Sequence, residues 1–173
     1  MNDLYILRHG IAVEHGTPGF RDDERPLTPK GERRMRQIAG GLLLLELALD
    51  RIVTSPLPRA RKTAEIVADV MGIRERLEIS SVLQTGSDAA AIQRWLRERS
   101  EDRLMVVGHN PTLSDLVSLL VLGSTEPLIC DLKKGGIAAL TRPPGSMSTY
   151  EIAWIAPPRL FRSVRDTEHG SSE

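Results

Sequence analysis

Tyr5-Ile6-Leu7-Arg8-His9-Gly10 (YILRHG, residues 5–10) is the stretch on which the reading of this chain turns. Residues 3–8 read as a short buried strand. The run ends in an arginine and a histidine side by side, and a glycine follows. Two side chains able to carry positive charge at the end of a buried strand point to an anion, because buried charge needs a partner.

Two other places repeat the arrangement. Leu104 to Val107 is a buried strand that runs into Gly108-His109-Asn110-Pro111. Ile52-Val53-Thr54 is a shorter strand, broken by Ser55-Pro56-Leu57-Pro58, with a helix from about Arg59 to Met71 closed by Gly72. Between these strands lie helix signals. Residues 11–27 form a polar loop with Gly16, Pro18, Gly19 and Pro26. Thr28 caps a helix with Pro29 at its first position. Met35, Ile38, Leu42, Leu45 and Leu49 give that helix one apolar face. Gly40-Gly41 weakens it by about 1 kcal/mol per glycine unless close packing requires them. Residues 77–83 read as a third strand. Ser87 or Asp88 caps a helix carrying Ile92, Trp95 and Leu96, and another helix spans Thr112 to Leu122. Ile137 to Thr141 and Thr149 to Trp154 form a late strand pair across Pro143-Pro144-Gly145-Ser146.

Strands alternating with helices predict an α/β sandwich with a largely parallel sheet. In such sheets ligands bind at the carboxyl ends of the strands. That rule selects Arg8-His9-Gly10, Thr54-Ser55 through Arg59, and Gly108-His109-Asn110. The expected organisation is one domain over residues 1–160 and a polar, flexible tail over 161–173.

Bulk properties exclude several classes. The 173 residues carry 23 Lys plus Arg against 23 Asp plus Glu, so broad nucleic-acid binding through a basic excess is not expected. Cys130 is the single cysteine, which rules out an internal disulfide and suggests a reducing cytoplasm. The most apolar segment, 38–49, contains Glu46 and is shorter than the roughly 18 residues of a membrane span. The first residues lack the pattern of a signal peptide. No membrane association is expected.

Arg59 opening a helix is a misplaced charge, since a helix dipole disfavours cations at that end. It becomes favourable if the guanidinium shares an anion with the backbone amides. Arg8, Arg59, His9 and His109 therefore predict an electropositive pocket in a chain of zero formal net charge. The arginines would repel a metal cation, and no cysteine pair, HExxH or carboxylate cluster is present, so neither metal nor cofactor is expected. The P-loop pattern is absent as well. A dianionic phosphate suits the pocket, and the planar arginine fork matches its oxygens. His15 in the polar loop and His169 in the tail read as solvated bystanders.

LRHG (7–10), SPLPRARKTAEIV (55–67) and VGHNP (107–111), in that order, resemble the histidine phosphatase superfamily, relatives of phosphoglycerate mutase. The short length and DERPLTPKG (23–31) are similar to its SixA-type phosphohistidine phosphatases. The resemblance covers residues 3 to about 155. It implies a three-layer α/β/α fold with a mixed sheet of about six strands. It also implies roles: His9 as the nucleophile that accepts the phosphoryl group, Arg8 and Arg59 as phosphate clamps, and His109 as the second histidine of the phosphate pocket. Arg25 of RPLT is a further candidate for that pocket. The partner is then a phosphohistidine-bearing protein or a small phosphorylated substrate.

One departure bears on the substrate. Mutase-like members place a glutamate after the third strand as acid for an alcohol leaving group. Here that stretch is VLQTGSDAAA (82–91): Gln84 cannot act as an acid, and Asp88 reads as a helix cap. Loss of general acid catalysis costs about 10²–10⁴-fold. A protonated phosphoramidate nitrogen leaves more easily, which favours phosphohistidine, although the long loop offers Glu14, Asp22, Asp23 and Glu24 as candidate proton donors. The rival expectations are a general small-molecule phosphomonoesterase and a non-catalytic phosphate-binding module.

Overall fold

A computed structural model describes residues 2–146 and 149–161. Six strands, β1 (Asp3–Arg8), β2 (Arg51–Thr54), β3 (Leu77–Ile79), β4 (Arg103–Gly108), β5 (Ile137–Thr141) and β6 (Glu151–Ala156), form one sheet in the order β3-β2-β4-β1-β5-β6. The first four are mutually parallel, β5 runs antiparallel to β1, and β6 antiparallel to β5. The helices that lie wholly among the described residues cover it: α1 (Pro29–Leu44), α2 (Pro58–Met71), α3 (Ala89–Arg97) and α4 (Thr112–Leu122). The expected three-layer sandwich with a mostly parallel, six-stranded mixed sheet is the observed one.

The two outer layers follow from the alternation along each strand. Leu4 and Ile6 of β1, with Leu104 and Val106 of β4, pack against Ile92 and Leu96 of α3 and Leu116 and Val117 of α4. Leu7, Met105 and Val107 point the other way, onto Met35, Ile38 and Leu42 of α1 and Ala60, Ala64 and Val67 of α2. Strands buried on both faces carry no polar alternation, which is why β1 and β4 read as unbroken apolar runs.

Several boundaries differ from expectation. The α1 helix stops at Leu44, so Leu45 is exposed and Leu49 is buried from outside the helix. Glu46 adopts a left-handed backbone (φ 52), and the amides of Leu47 and Glu46 bond back to the carbonyls of Leu42 and Leu43. That is a Schellman closure, which ends a helix whatever its apolar period. Gly41 supports the close approach of Phe161: a Cβ there would lie 2.6 Å from the Phe161 carbonyl oxygen. The strand expected over 77–83 is three residues long, and Ser81–Leu83 turns into a 3-10 helix. The last strand begins at Glu151 rather than Thr149. Phe161, where the expected tail begins, is buried and packs on Trp154; the rest of that tail lies outside the described residues. Among the described residues no helix is long and apolar enough to cross a membrane.

Candidate active site

Register builds the site. Leu7 pairs with Val107, Arg8 with Gly108, and Thr54 with Val107, so β1, β2 and β4 end level with one another. The next residue of each strand is held in the same row: the His9 amide donates to the Gly108 carbonyl and the Ser55 amide to the Val107 carbonyl. His9, Ser55 and His109 thus meet at one edge, and the rings of His9 and His109 lie 5.2 Å apart. The antiparallel β5 adds a fourth wall, because its start lies beside the end of β1. The Gly135 amide bridges the carbonyls of Arg8 and His9.

The resulting cavity has a volume of about 490 Å³ and includes Arg8, His9, Arg25, Arg59 and His109 in its lining, the five residues singled out from the sequence. His9 is 6% exposed, and its Nδ1 lies 2.7 Å from the Gly10 carbonyl oxygen. A carbonyl only accepts, so Nδ1 carries the proton and Nε2 of the neutral ring keeps its lone pair. Gly10 is itself fixed, its amide donating to Thr63 Oγ1, whose hydroxyl donates to the Arg59 carbonyl. His109 is 4% exposed, with Nε2 2.9 Å from Ser55 Oγ. Arg8 donates from Nη1 to the Leu132 carbonyl at 2.6 Å. Arg59 is 2% exposed despite its charge and donates to the Asp22 carbonyl at 2.8 Å. Arg25 has its donors committed to the Asp22 carboxylate and the Val13 carbonyl, so it shapes the wall of the cavity through Asp22.

Positive charge dominates the lining: Arg8, Arg25, Arg59 and Lys134 against Glu14 and Asp22. Burial, then the Arg59 and Arg8 guanidinium groups, push the pKa of His9 down to about 3. Burial, then His9 and Arg59, lower His109 to about 3 as well. Both rings are therefore neutral near pH 7. Arg8 Nε, Arg59 Nε and His109 Nδ1 are buried donors or donor-capable atoms without partners among the described residues. Buried donors left unpaired cost about 1–3 kcal/mol each. The cationic lining suits an acceptor-rich, doubly charged group, whereas a metal cation would face the Arg8 and Arg59 guanidinium groups.

Of the acids considered in the long loop, Glu14 and Asp22 line the cavity. Asp22 is held below the usual carboxylate range, chiefly by its hydrogen bond with His15 and then by Arg25, which makes it a poor proton donor. Asp88 caps α3, accepting from the Ala91 amide at 2.6 Å, and lines a neighbouring groove instead. Thr85 is the residue of the 82–91 stretch that lines the cavity. His15, read as a bystander, is exposed yet sits on the cavity rim bonded to Asp22.

From the sequence, Ser55 and Asn110 fall at the selected strand ends without a role of their own, while Thr63 and the 131–135 segment lie outside those ends. Asn110 Nδ2 donates to Ser114 Oγ, Asp131 and the Leu132 carbonyl, tying that segment to α4. The available signal was Lys133-Lys134-Gly135-Gly136, a basic turn placed directly before a strand.

An open α/β sheet with a cavity of arginines and buried histidines at its carboxyl edge has the charge and the donors to receive an oxyanion. The comparisons narrow that reading. The sequence profile of the histidine phosphatase superfamily (branch 1) matches residues 4–84. An uncharacterized protein of Picosynechococcus is 38% identical over 141 residues, covering 80% of this chain and 84% of the relative. Phosphohistidine phosphatase SixA of Escherichia coli K12 is 28% identical over 128 residues, covering 72% of this chain and 78% of SixA. A solved structure of the protein histidine phosphatase SixA complexed with tungstate superposes with a TM-score of 0.78 at 25% identity, over 91% of this chain and 98% of that one. The chain belongs to the histidine phosphatase superfamily. Within it, the chain is similar to SixA.

Proposed function

We propose that this protein is a phosphatase that works through a covalent phosphohistidine on His9, and that its substrate is phosphohistidine on a partner protein. The observation that carries the reading is the His9 Nδ1–H bond to the Gly10 carbonyl. It leaves Nε2 as the free lone pair of a neutral ring in a cavity whose lining includes the Arg8 and Arg59 guanidinium groups. Nε2 attacks phosphorus in line on a substrate whose phosphorylated ring is protonated at its other nitrogen; the phosphorus–nitrogen bond breaks, its electron pair stays on the leaving nitrogen, and the imidazole departs neutral with that proton. Water then attacks the phosphorus of the enzyme adduct, releasing inorganic phosphate and restoring His9. Arg8, Arg59 and His109 stabilise charge on the equatorial oxygens, which is most of what phosphoryl transfer asks of a protein.

The acid inventory supports a nitrogen leaving group. The stretch after β3 supplies a helix cap and a threonine, and Asp22 is held ionised. Similarity to SixA proteins supports the same substrate class. Cys130 as the sole cysteine fits a cytoplasmic setting. A second reading, a small-molecule phosphomonoesterase, draws on Glu14 at the cavity wall as a proton source. It also draws on the shared fold of a mycobacterial glucosyl-3-phosphoglycerate phosphatase (TM-score 0.67, 15% identity).

A substrate panel decides between them. Initial rates are compared for a phosphohistidine-bearing protein, p-nitrophenyl phosphate and sugar phosphates. Faster turnover of the phosphoprotein is expected. Sugar phosphates cleaved faster, with the rate lost in Glu14→Gln, would establish the second reading. Binding of phosphate without turnover of any substrate would leave a non-catalytic module.

A further inference from the structure

We propose that Ser55 is a positioning residue that fixes His109 in its Nδ1–H tautomer, so that this ring presents a hydrogen-bond donor to the substrate's phosphoryl group. The inference rests on the phosphatase reading for its purpose, though not for its geometry. Ser55 is fully buried at the end of β2. Its Oγ lies 2.9 Å from His109 Nε2 and accepts the Leu57 amide at 3.3 Å. A hydroxyl has one proton to give. With the Leu57 amide already directed at Oγ, the arrangement that satisfies every group has the Ser55 hydroxyl donating to Nε2.

The opposite assignment fails on two counts. If Nε2–H donated to Oγ, the Ser55 proton would have no acceptor among the hydrogen bonds of the described residues. His109 Nδ1, buried and without a partner, would also become an acceptor lone pair in a cavity suited to an anion. With Ser55 donating, Nδ1 carries the proton. The neutral state of the ring, enforced by burial and by the cations around it, leaves a single proton to place, so the choice is all or nothing.

The two neighbouring histidines then have opposite polarity. His9 is tied at Nδ1 by the Gly10 carbonyl and offers a lone pair at Nε2. His109 is tied at Nε2 by the Ser55 hydroxyl and offers N–H at Nδ1. One ring is set as nucleophile and the other as electrophilic support. The hydroxyls of Ser55 and Thr63 hold the two arrangements from behind.

NMR of protein labelled at histidine with the heavy nitrogen isotope reads each ring nitrogen directly. Wild type at pH 7 is expected to show His109 protonated at Nδ1 and bare at Nε2. Ser55→Ala is expected to move the ring towards the Nε2–H form and to lower kcat between about tenfold and 10²-fold, the upper figure being the loss of one transition-state donor. Ser55→Thr, which keeps the hydroxyl, is expected to restore both. A wild-type ring protonated at Nε2 overturns the proposal. So does a Ser55→Ala variant in which tautomer and kcat fail to move together. If Ser55→Ala does not fold, the wild-type spectrum decides alone. A protein that never forms a phosphoenzyme on His9 would sink the phosphatase reading while leaving the tautomer measurement intact, so the two failures are distinguishable.

Discussion

Lowering the pH from 7 to 5 should cost this protein stability through its two pocket histidines. Folding holds His9 and His109 neutral, with pKa values lowered to about 3 by burial first, then for His9 by Arg59 and Arg8 and for His109 by the His9 ring and Arg59. In the unfolded chain an imidazole titrates near 6.5. Between those values the unfolded state binds protons that the folded state refuses. The stabilising difference is therefore complete above about pH 6.5 and is lost as the pH falls towards 3. At pH 5 an ordinary imidazole is almost fully protonated and the buried rings are not, which is worth about 2 kcal/mol per ring and roughly 4 kcal/mol for both. Against a typical total of about 5–15 kcal/mol that is a large share. Urea unfolding between pH 7 and pH 5 measures it. His109→Gln should remove about half of the slope and the His9→Gln, His109→Gln double variant most of it. An unfolding free energy that does not change over this range, or a slope that both variants leave in place, would mean that the two buried rings do not resist protonation. Asp22, with its depressed pKa, loses its contribution at lower pH and does not confuse this window.

Three other expectations concern single residues. Arg59→Met should lower kcat/KM by about 10²–10³-fold while the unfolding free energy drops by less than about 1 kcal/mol or rises, because the buried cation is desolvated and opposed by Arg25; steady-state kinetics beside urea titration separate the two effects. Asp88→Ala should cost about 1 kcal/mol of stability through the lost cap and leave kcat on any phosphorylated substrate unchanged; a fall in kcat would make Asp88 the missing acid. Gly31→Ala places a Cβ 2.0 Å from the Ile11 carbonyl oxygen, where the loop crosses α1, and should lower the thermal midpoint by an amount equivalent to about 1–3 kcal/mol or more.

What was legible in the sequence was whatever a local pattern carries. The apolar runs of β1 and β4, the Thr28-Pro29 helix start and the Asp88 cap each leave a short signature, and all four elements are observed where expected. Arg8, His9, Arg59 and His109 were legible because strand ends in a parallel sheet converge, and the register that brings them level follows from fold class. What escaped is tertiary. The end of α1 is set by a left-handed turn at Glu46, a residue type with no such preference. Ser55 and Thr63 matter through partners 54 and 53 residues away in the chain. The 131–135 segment reaches the pocket because β5 is antiparallel to β1, a pairing that no local pattern marks. Asp22 enters as the partner of Arg25, Arg59 and His15 at once, which only the folded loop brings about.

Rapid quenching of the reaction with a radiolabelled phosphohistidine protein reads the covalent intermediate itself. Catalysis through His9 predicts a stoichiometric, acid-labile and base-stable phosphoenzyme, located on His9 by peptide mapping, formed and consumed at rates consistent with turnover and absent in His9→Ala. Full turnover by His9→Ala, or turnover by the wild type with the label on another residue or on none, would contradict it.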